Sequence, residues 1–348
     1  MKPGALASRT RNPMFMTNNM PLQKKNLGYL LLAGLFTLGI AACSEQAPTQ
    51  VETLTYTPIG PTLDRNYRVN GLYVINGNAY LPIAGRTDGP LRYAQMTLNG
   101  AASTNYKIVD LLIPNDASYK IVGPVFVDGI SDRIYAPLVI TDRTSNTYTW
   151  LTYDTKGLTP IGTPLGNYPV PSNPELQFGV PTPGFYKGVL YPNYAGNLVG
   201  INTTNGQQVF QKKGLLAPTQ SNYAVIENQI LTFSRDSGSM TLIDMSNGST
   251  KTLGGDLNAL AEKGYQATPF FAIFNGNVHL LTIGTGFKLG LCTTSLHATE
   301  DWRCKLSDMA LPAGVQITAF NLDPGSGTPY FLTYKTMNGT QLNRINLP

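Results

Sequence analysis

The chain has 348 residues, 13% of them charged, and its 35 Gly, 25 Pro and 19 Tyr suit many short strands joined by tight turns. Two histidines leave little room for a catalytic triad or a metal centre, and two tryptophans exclude the tryptophan ring that bound-quinone catalysis requires. The formal charge of +5 comes entirely from Lys2, Arg9, Arg11, Lys24 and Lys25, so the chain from residue 43 onward is neutral and makes no electrostatic case for nucleic acid or an anionic membrane.

Taken in chain order, the first element is not part of the fold. Lys24 and Lys25 precede an uncharged, leucine-rich stretch from Asn26 to Ala42, which ends in Ile40-Ala41-Ala42-Cys43. A basic region, an apolar region and a small-residue cleavage site make a secretory signal. The apolar run is shorter than the 20 or so residues that span a membrane comfortably. With a cysteine at the cut, it resembles the lipobox of bacterial lipoproteins. That resemblance implies a cleaved leader over 1–42, with Met20 a candidate true start, and a lipid on Cys43 as the first mature residue. Ser44 rather than Asp after the cysteine implies delivery to the outer membrane, on its periplasmic or outer face. Residues 43–52 carry the lipid and then read as a polar tether. Cys292 and Cys304 remain as an even pair in an oxidising compartment, between strand-like flanks, and are expected to form a disulfide in preference to a metal site.

Residues 53–348 read as one all-β domain. A strand, a short polar turn and a second strand recur six times: 67–76 with 79–83, 120–128 with 133–140, 177–185 with 189–194, 223–226 with 229–234, 270–274 with 278–283, and 316–322 with 329–335. Gly and Asn at the turns supply positive φ angles. The repeats are spaced by about 40 to 56 residues, close to the length of a four-stranded propeller blade. After the third pair, Leu198–Asn202 and Gln207–Phe210 read as third and fourth strands. The one helical stretch is Leu257–Lys263, with Asp256 as its N-cap and Gly264 at its end.

Leu54–Leu63 (LTYTPIGPTL) echoes Gly157–Leu165 (GLTPIGTPL), which lies where the outer strand of the second repeat is expected. The last repeat, ending at Gln341–Leu347, is one strand short. The expected fold is therefore a single β-propeller of six blades, with seven as the alternative, closed by the N-terminal strand.

Gly188–Phe210 (GVLYPNYAGNLVGINTTNGQQVF) resembles the repeat of quinoprotein-type propellers. Asn205-Gly206 stands at the Thr-Gly turn, and Phe210 replaces the tryptophan that docks between blades in that family. Ser239–Leu253, with Asn247-Gly248 at its turn, is a fainter copy. The resemblance implies the fold and, by analogy, the outer-membrane lipoprotein propellers that act as assembly scaffolds; it transfers no catalytic residue. Ser295–Trp302 is similar to the Asp-box turn of sialidase-like propellers but lacks its Gly, and reads as a hairpin stapled by the disulfide.

Nucleophile-elbow, zinc-protease, phosphate-loop and dinucleotide-binding motifs are absent. His279 lies within a strand and His297 in the Cys292–Cys304 connection; neither suggests a metal, and no cofactor is read. One charged constellation remains. Arg86 with Asp88, Asp142 with Arg143, and Arg235 with Asp236 follow the second strands of three repeats. In a propeller these loops project from one face, where they are either ordinary solvated turns or a polar ligand rim. The expected function is a lipid-anchored binding or assembly scaffold for an envelope protein or glycan. The alternative is a carbohydrate-binding or carbohydrate-active propeller of hydrolase or lyase type, acting on envelope or extracellular polymers.

Overall fold

The structure, a computed structural model, describes residues 53–348 apart from 84–89, 99–104, 115–118, 124, 129–130, 142–145, 171–182, 219, 235–238, 255–263 and 298–301. The leader, Cys43, the tether and the helix expected at 257–263 lie outside the described residues. The described chain is all-β, with a 3-10 turn at 285–287. Among the described residues no helix is long and apolar enough to cross a membrane.

After β1 (Thr53–Leu63) come β2 (Tyr73–Ile75), β3 (Asn78–Ile83), β4 (Leu91–Thr97) and β5 (Lys107–Leu111), which form a sheet in that order. In the second sheet, β6 (Tyr119–Ile121) and β7 (Phe126–Asp128) both pair with β8 (Arg133–Thr141), followed by β9 (Asn146–Asp154) and β10 (Leu165–Pro169). The third holds β11 (Gly184–Tyr186), β12 (Val189–Tyr191), β13 (Asn193–Tyr194), β14 (Asn197–Asn202) and β15 (Gln208–Lys213). The fourth is β16 (Tyr223–Ile226), β17 (Gln229–Ser234), β18 (Ser239–Asp244) and β19 (Thr250–Leu253).

The remaining strands are β20 (Tyr265–Phe274), β21 (Asn277–Gly284), β22 (Lys288–Ser295), β23 (Arg303–Ala310), β24 (Gln316–Leu322), β25 (Pro329–Lys335) and β26 (Gly339–Asn346). With β1 they make one eight-stranded sheet. It consists of two antiparallel meanders, β20–β23 and β24–β25–β26–β1. A short parallel contact joins them, Thr53 opposite Leu306 and Leu54 opposite Ser307.

Local chemistry explains the turns. Asn76-Gly77, Lys187-Gly188 and Asn275-Gly276 each place two residues at positive φ, as two-residue hairpins require. A second turn recurs at Asn202–Gly206, Asp244–Gly248 and Asp323–Gly327. In each, the Gly N–H donates to the carbonyl of the leading Asn or Asp at 2.7–2.8 Å, and that residue's side chain accepts from the N–H two residues on. The stretch 120–128, expected as one strand, is two, β6 and β7, and Pro192 separates β12 from β13.

Six apolar layers lie between successive four-stranded groups. Tyr93 and Leu111 meet Ile134 and Tyr153 between the first and second groups; Trp150 and Leu165 meet Leu190 and Tyr194 in the next layer. Phe210 joins the layer between the third and fourth groups, beside Tyr191 at 6.1 Å. Trp302 packs between the fourth group and β20–β23. Leu54 lies between the two halves of the eight-stranded sheet. The sixth layer packs Val74 and Leu81 against Leu332 and Leu342, setting the last strands against the first. Sheets arranged in a closed circle in this way form a β-propeller.

The N-terminal strand is the outer strand of the last group, as expected. β1 pairs antiparallel with β26 from Thr55 opposite Asn346 to Leu63 opposite Thr340. The echo at Gly157–Leu165 is a correction. That segment is not an outer strand: Pro160 and Pro164 lack the N–H a ladder needs, Gly162 sits at φ 68, and Pro160 makes only an isolated bridge to Tyr153. The outer strand, β10, starts where the echo ends.

Candidate functional site

The first strands β2, β7, β11, β16, β20 and β24 are each paired on one side only. Residues of all six line a single channel of about 680 Å³, a volume typical of ligand sites. The channel therefore combines unpaired strand edges, which offer backbone N–H and C=O groups, with apolar and aromatic side chains.

Three consecutive groups contribute an aromatic arc. Tyr73 meets Phe126 edge-on at 5.4 Å, and Phe126 meets Phe185 at 5.6 Å. Tyr135 closes the cluster at 6.3 Å from Phe126 and 6.2 Å from Phe185. All but Tyr135 are half-buried, which leaves part of each ring toward the channel. At Tyr186, also on the channel, the Lys187 ammonium lies 5.1 Å from the ring centroid, a cation–π contact.

Asp128 is the one charged side chain lining the channel among the described residues. It is 4% exposed and accepts a hydrogen bond from the Ser131 hydroxyl. Burial holds the pKa of the Tyr135 hydroxyl above the usual phenol value. Asp128 is thus held by the turn between β7 and β8, within its own group.

The six candidate rim residues, Arg86, Asp88, Asp142, Arg143, Arg235 and Asp236, lie outside the described residues. Ion pairs that are described, Arg92–Asp110 at 2.9 Å and Arg133–Asp154 at 3.7 Å, join neighbouring strands away from the channel. Cys292 and Cys304 face each other across β22 and β23 and form a disulfide with Cα atoms 4.0 Å apart. His279 shares a hydrogen bond of 3.2 Å with Thr293 on the next strand, and burial lowers its pKa. His297 is exposed beyond the end of β22. Among the described residues, no three of His, Cys, Asp and Glu gather as metal ligands.

The aromatic arc escaped the sequence because its members lie far apart along the chain and each sits in an ordinary strand. The signal that could have found it is positional: an aromatic recurs in the first strand of each of these repeats.

No family model and no curated protein matches the chain. Among solved structures it is similar to the crystal structure of the RRP9 WD40 repeats, at 8% identity and a TM-score of 0.49, over 86% of this chain and 99% of that one. It is similar also to the structure of U3-55K, at 8% identity and a TM-score of 0.44, over 80% of this chain and 77% of that one.

Proposed function

We propose that this chain is a six-bladed propeller lipoprotein, acylated on Cys43 and held at an outer membrane, whose ring serves as a non-catalytic binding or assembly scaffold. The lipobox-like Ile40-Ala41-Ala42-Cys43 supports the anchor, and the resemblance of Gly188–Phe210 to quinoprotein-type repeats supports the scaffold role. The observation that carries the binding function is the channel. It presents six strand edges and a half-buried aromatic arc, while Asp128, the one carboxylate lining it among the described residues, accepts from Ser131. Such a surface recognises by stacking, apolar contact and backbone hydrogen bonds. The Arg/Asp loops at 86–88, 142–143 and 235–236 would add a polar rim at one end of the ring.

Affinity capture of the lipidated protein from its native envelope tests this reading. Recovery of a defined envelope protein, lost when Phe126 and Phe185 are replaced by Ser, is the expected result. Recovery of glycans alone, with turnover of a polysaccharide, would replace the scaffold with the carbohydrate-active alternative.

A further inference from the structure

We infer that the channel takes an organic ammonium ion, a positive head on a small apolar body, an inference that rests on the binding role proposed for the channel above. Its aromatic wall, the charge at one mouth and two backbone outliers favour a cation over a neutral or anionic ligand.

Tyr73, Phe126, Phe185 and Tyr186 line the channel half-buried, so part of each ring is open to a ligand. Ring faces attract cations, most strongly where water is excluded. One ring already shows this: the Lys187 ammonium lies 5.1 Å from the Tyr186 centroid. The chain's own amine thus marks the kind of group these rings hold. On β7, Phe126 and Asp128 are two residues apart and face the same way, which sets a carboxylate beside a ring at the channel wall. The ring offers a face and the acid offers charge, the pairing that suits an ammonium ion.

The sign of the charge agrees. Each first strand leads into a turn, and the repeated order of strands places those turns at one mouth of the channel. They carry Asp132, Glu227 and Asp323, with Asp128 lining the wall just inside. Against these acids stands Lys187, since Arg133 is paired with Asp154 on the neighbouring strand at 3.7 Å. Among the described residues, the turns that rim this mouth are therefore acidic. A cleft with low-dielectric walls focuses such a field and concentrates ions of the opposite sign.

Lys187 and Glu227 are also out of place for local reasons. They sit at φ 46 and φ 53, where the turns of the first sheet and of β20–β21 have Asn76 and Asn275. Asn takes this left-handed conformation readily; Lys and Glu rarely do. Folding alone does not call for charged residues at these turns, and observed outliers of this kind point to a function. Lys187 follows Tyr186 and Glu227 follows Ile226, both on the channel wall. Glu227 attracts an incoming cation, and Lys187 holds the Tyr186 face that the ligand takes from it.

The test titrates the full chain with three probes of nearly one shape: choline, neutral neohexyl alcohol and the tert-butylacetate anion. Saturation-transfer NMR and calorimetry read the binding. Choline is expected to bind roughly tenfold more tightly than the alcohol, and the anion not at all. Phe126→Leu and Phe185→Leu keep apolar bulk, and each is expected to weaken choline roughly 3- to 30-fold while changing the alcohol little. Lys187→Asn suits the left-handed turn, frees the Tyr186 face and removes a positive charge, so it is expected to tighten choline. That variant disturbs no buried contact and decides the matter even where a phenylalanine variant fails to fold. A lysine capped at both backbone ends separates the sources of the cation: binding as tight as choline's assigns the site to a protein side chain, and choline alone to a free small molecule. Failure of both cations to bind, equal binding of the three probes, preference for the anion, or a Lys187→Asn variant that binds choline no better overturns the inference. An envelope protein still captured through Phe126 and Phe185 in that event leaves the scaffold reading standing; its absence overturns both.

Discussion

The Asn321 side-chain amide donates a 3.0 Å hydrogen bond to the Leu72 carbonyl, joining two residues 249 positions apart. Asn321 belongs to the first strand of the last group, and Leu72 directly precedes the first strand of the first. The bond closes the ring at the channel, while β1 on β26 closes it at the outer edge. Asn321→Leu is expected to cost about 1–2 kcal/mol, because it leaves a partly buried carbonyl without its partner. Urea unfolding measures it, and an unchanged midpoint would mean that the inner closure carries no weight.

The outer closure has its own sensitive point at Gly339, at φ 100, where a Cβ would collide with the Leu63 carbonyl and the Arg65 amide. Gly314, at φ 74, has nothing within 4 Å of a Cβ. Gly314→Ala therefore meets backbone strain alone, about 1–2 kcal/mol. Gly339→Ala adds a clash at the seam, and its loss of stability by denaturant unfolding is expected to exceed that of Gly314→Ala clearly. Equal losses would show the seam to be loose.

Trp150 and Tyr194 bind the second group to the third. The indole Nε1 donates to the Tyr194 hydroxyl at 2.9 Å, with both residues buried. Tyr148 and Tyr168 stack on the same ring at 4.8 and 4.7 Å. Tyr194→Phe leaves a buried N–H unpaired and is expected to cost about 1–3 kcal/mol. Trp150→Phe removes volume as well, for about 2–4 kcal/mol. Because the two share one bond, the double variant should cost less than the sum, by about 1 kcal/mol. Strict additivity would deny the contact.

Alkaline pH should find the tyrosines. Burial pushes Tyr93 and Tyr153 up to about 12, and drives Tyr194, Tyr223 and Tyr106 further in the same direction. A folded pKa above the unfolded value of 10.0 means that the unfolded chain gives up its protons first. The stability these phenols contribute is full below pH 10 and falls as pH rises through their folded values. Phenolate absorbance should therefore rise in two phases, the second coincident with loss of tertiary circular dichroism. A single smooth titration with the fold intact would contradict this burial.

The Cys292–Cys304 bridge closes a loop with a sequence separation of 12 inside the layer that holds Trp302. Replacing both cysteines by Ala should lower stability by about 2–4 kcal/mol, and thiol reagents should leave the native protein unmodified at both. Ready alkylation of either would show the pair to be open.

Some elements were legible to the residue. β16 with β17, and β24 with β25, have the bounds that alternating apolar residues and polar turns predict, since each run is uninterrupted and each turn carries its own signal. Where Pro192 falls, one expected strand becomes two, whereas Pro82 and Pro137 lie within strands that stay whole. The disulfide followed from the even pair of cysteines and the oxidising compartment expected of a secreted chain. The parallel contact of β1 with β23 did not, because edge pairing between two sheets is set by the ring and by no local pattern. The same holds for the arc of Tyr73, Phe126 and Phe185. The Arg/Asp rim lies on residues 86–88, 142–143 and 235–236, outside the described structure.

The proposed compartment and the neutral charge of the mature chain both depend on cleavage at Cys43. Mass spectrometry of the N-terminal peptide from protein purified out of its native envelope tests that residue directly. The expected result is a peptide that begins at Cys43 and carries acyl chains. A peptide that starts upstream of Ile40 and contains an unmodified Cys43 would contradict the anchor, and with it the place proposed for this protein in the cell.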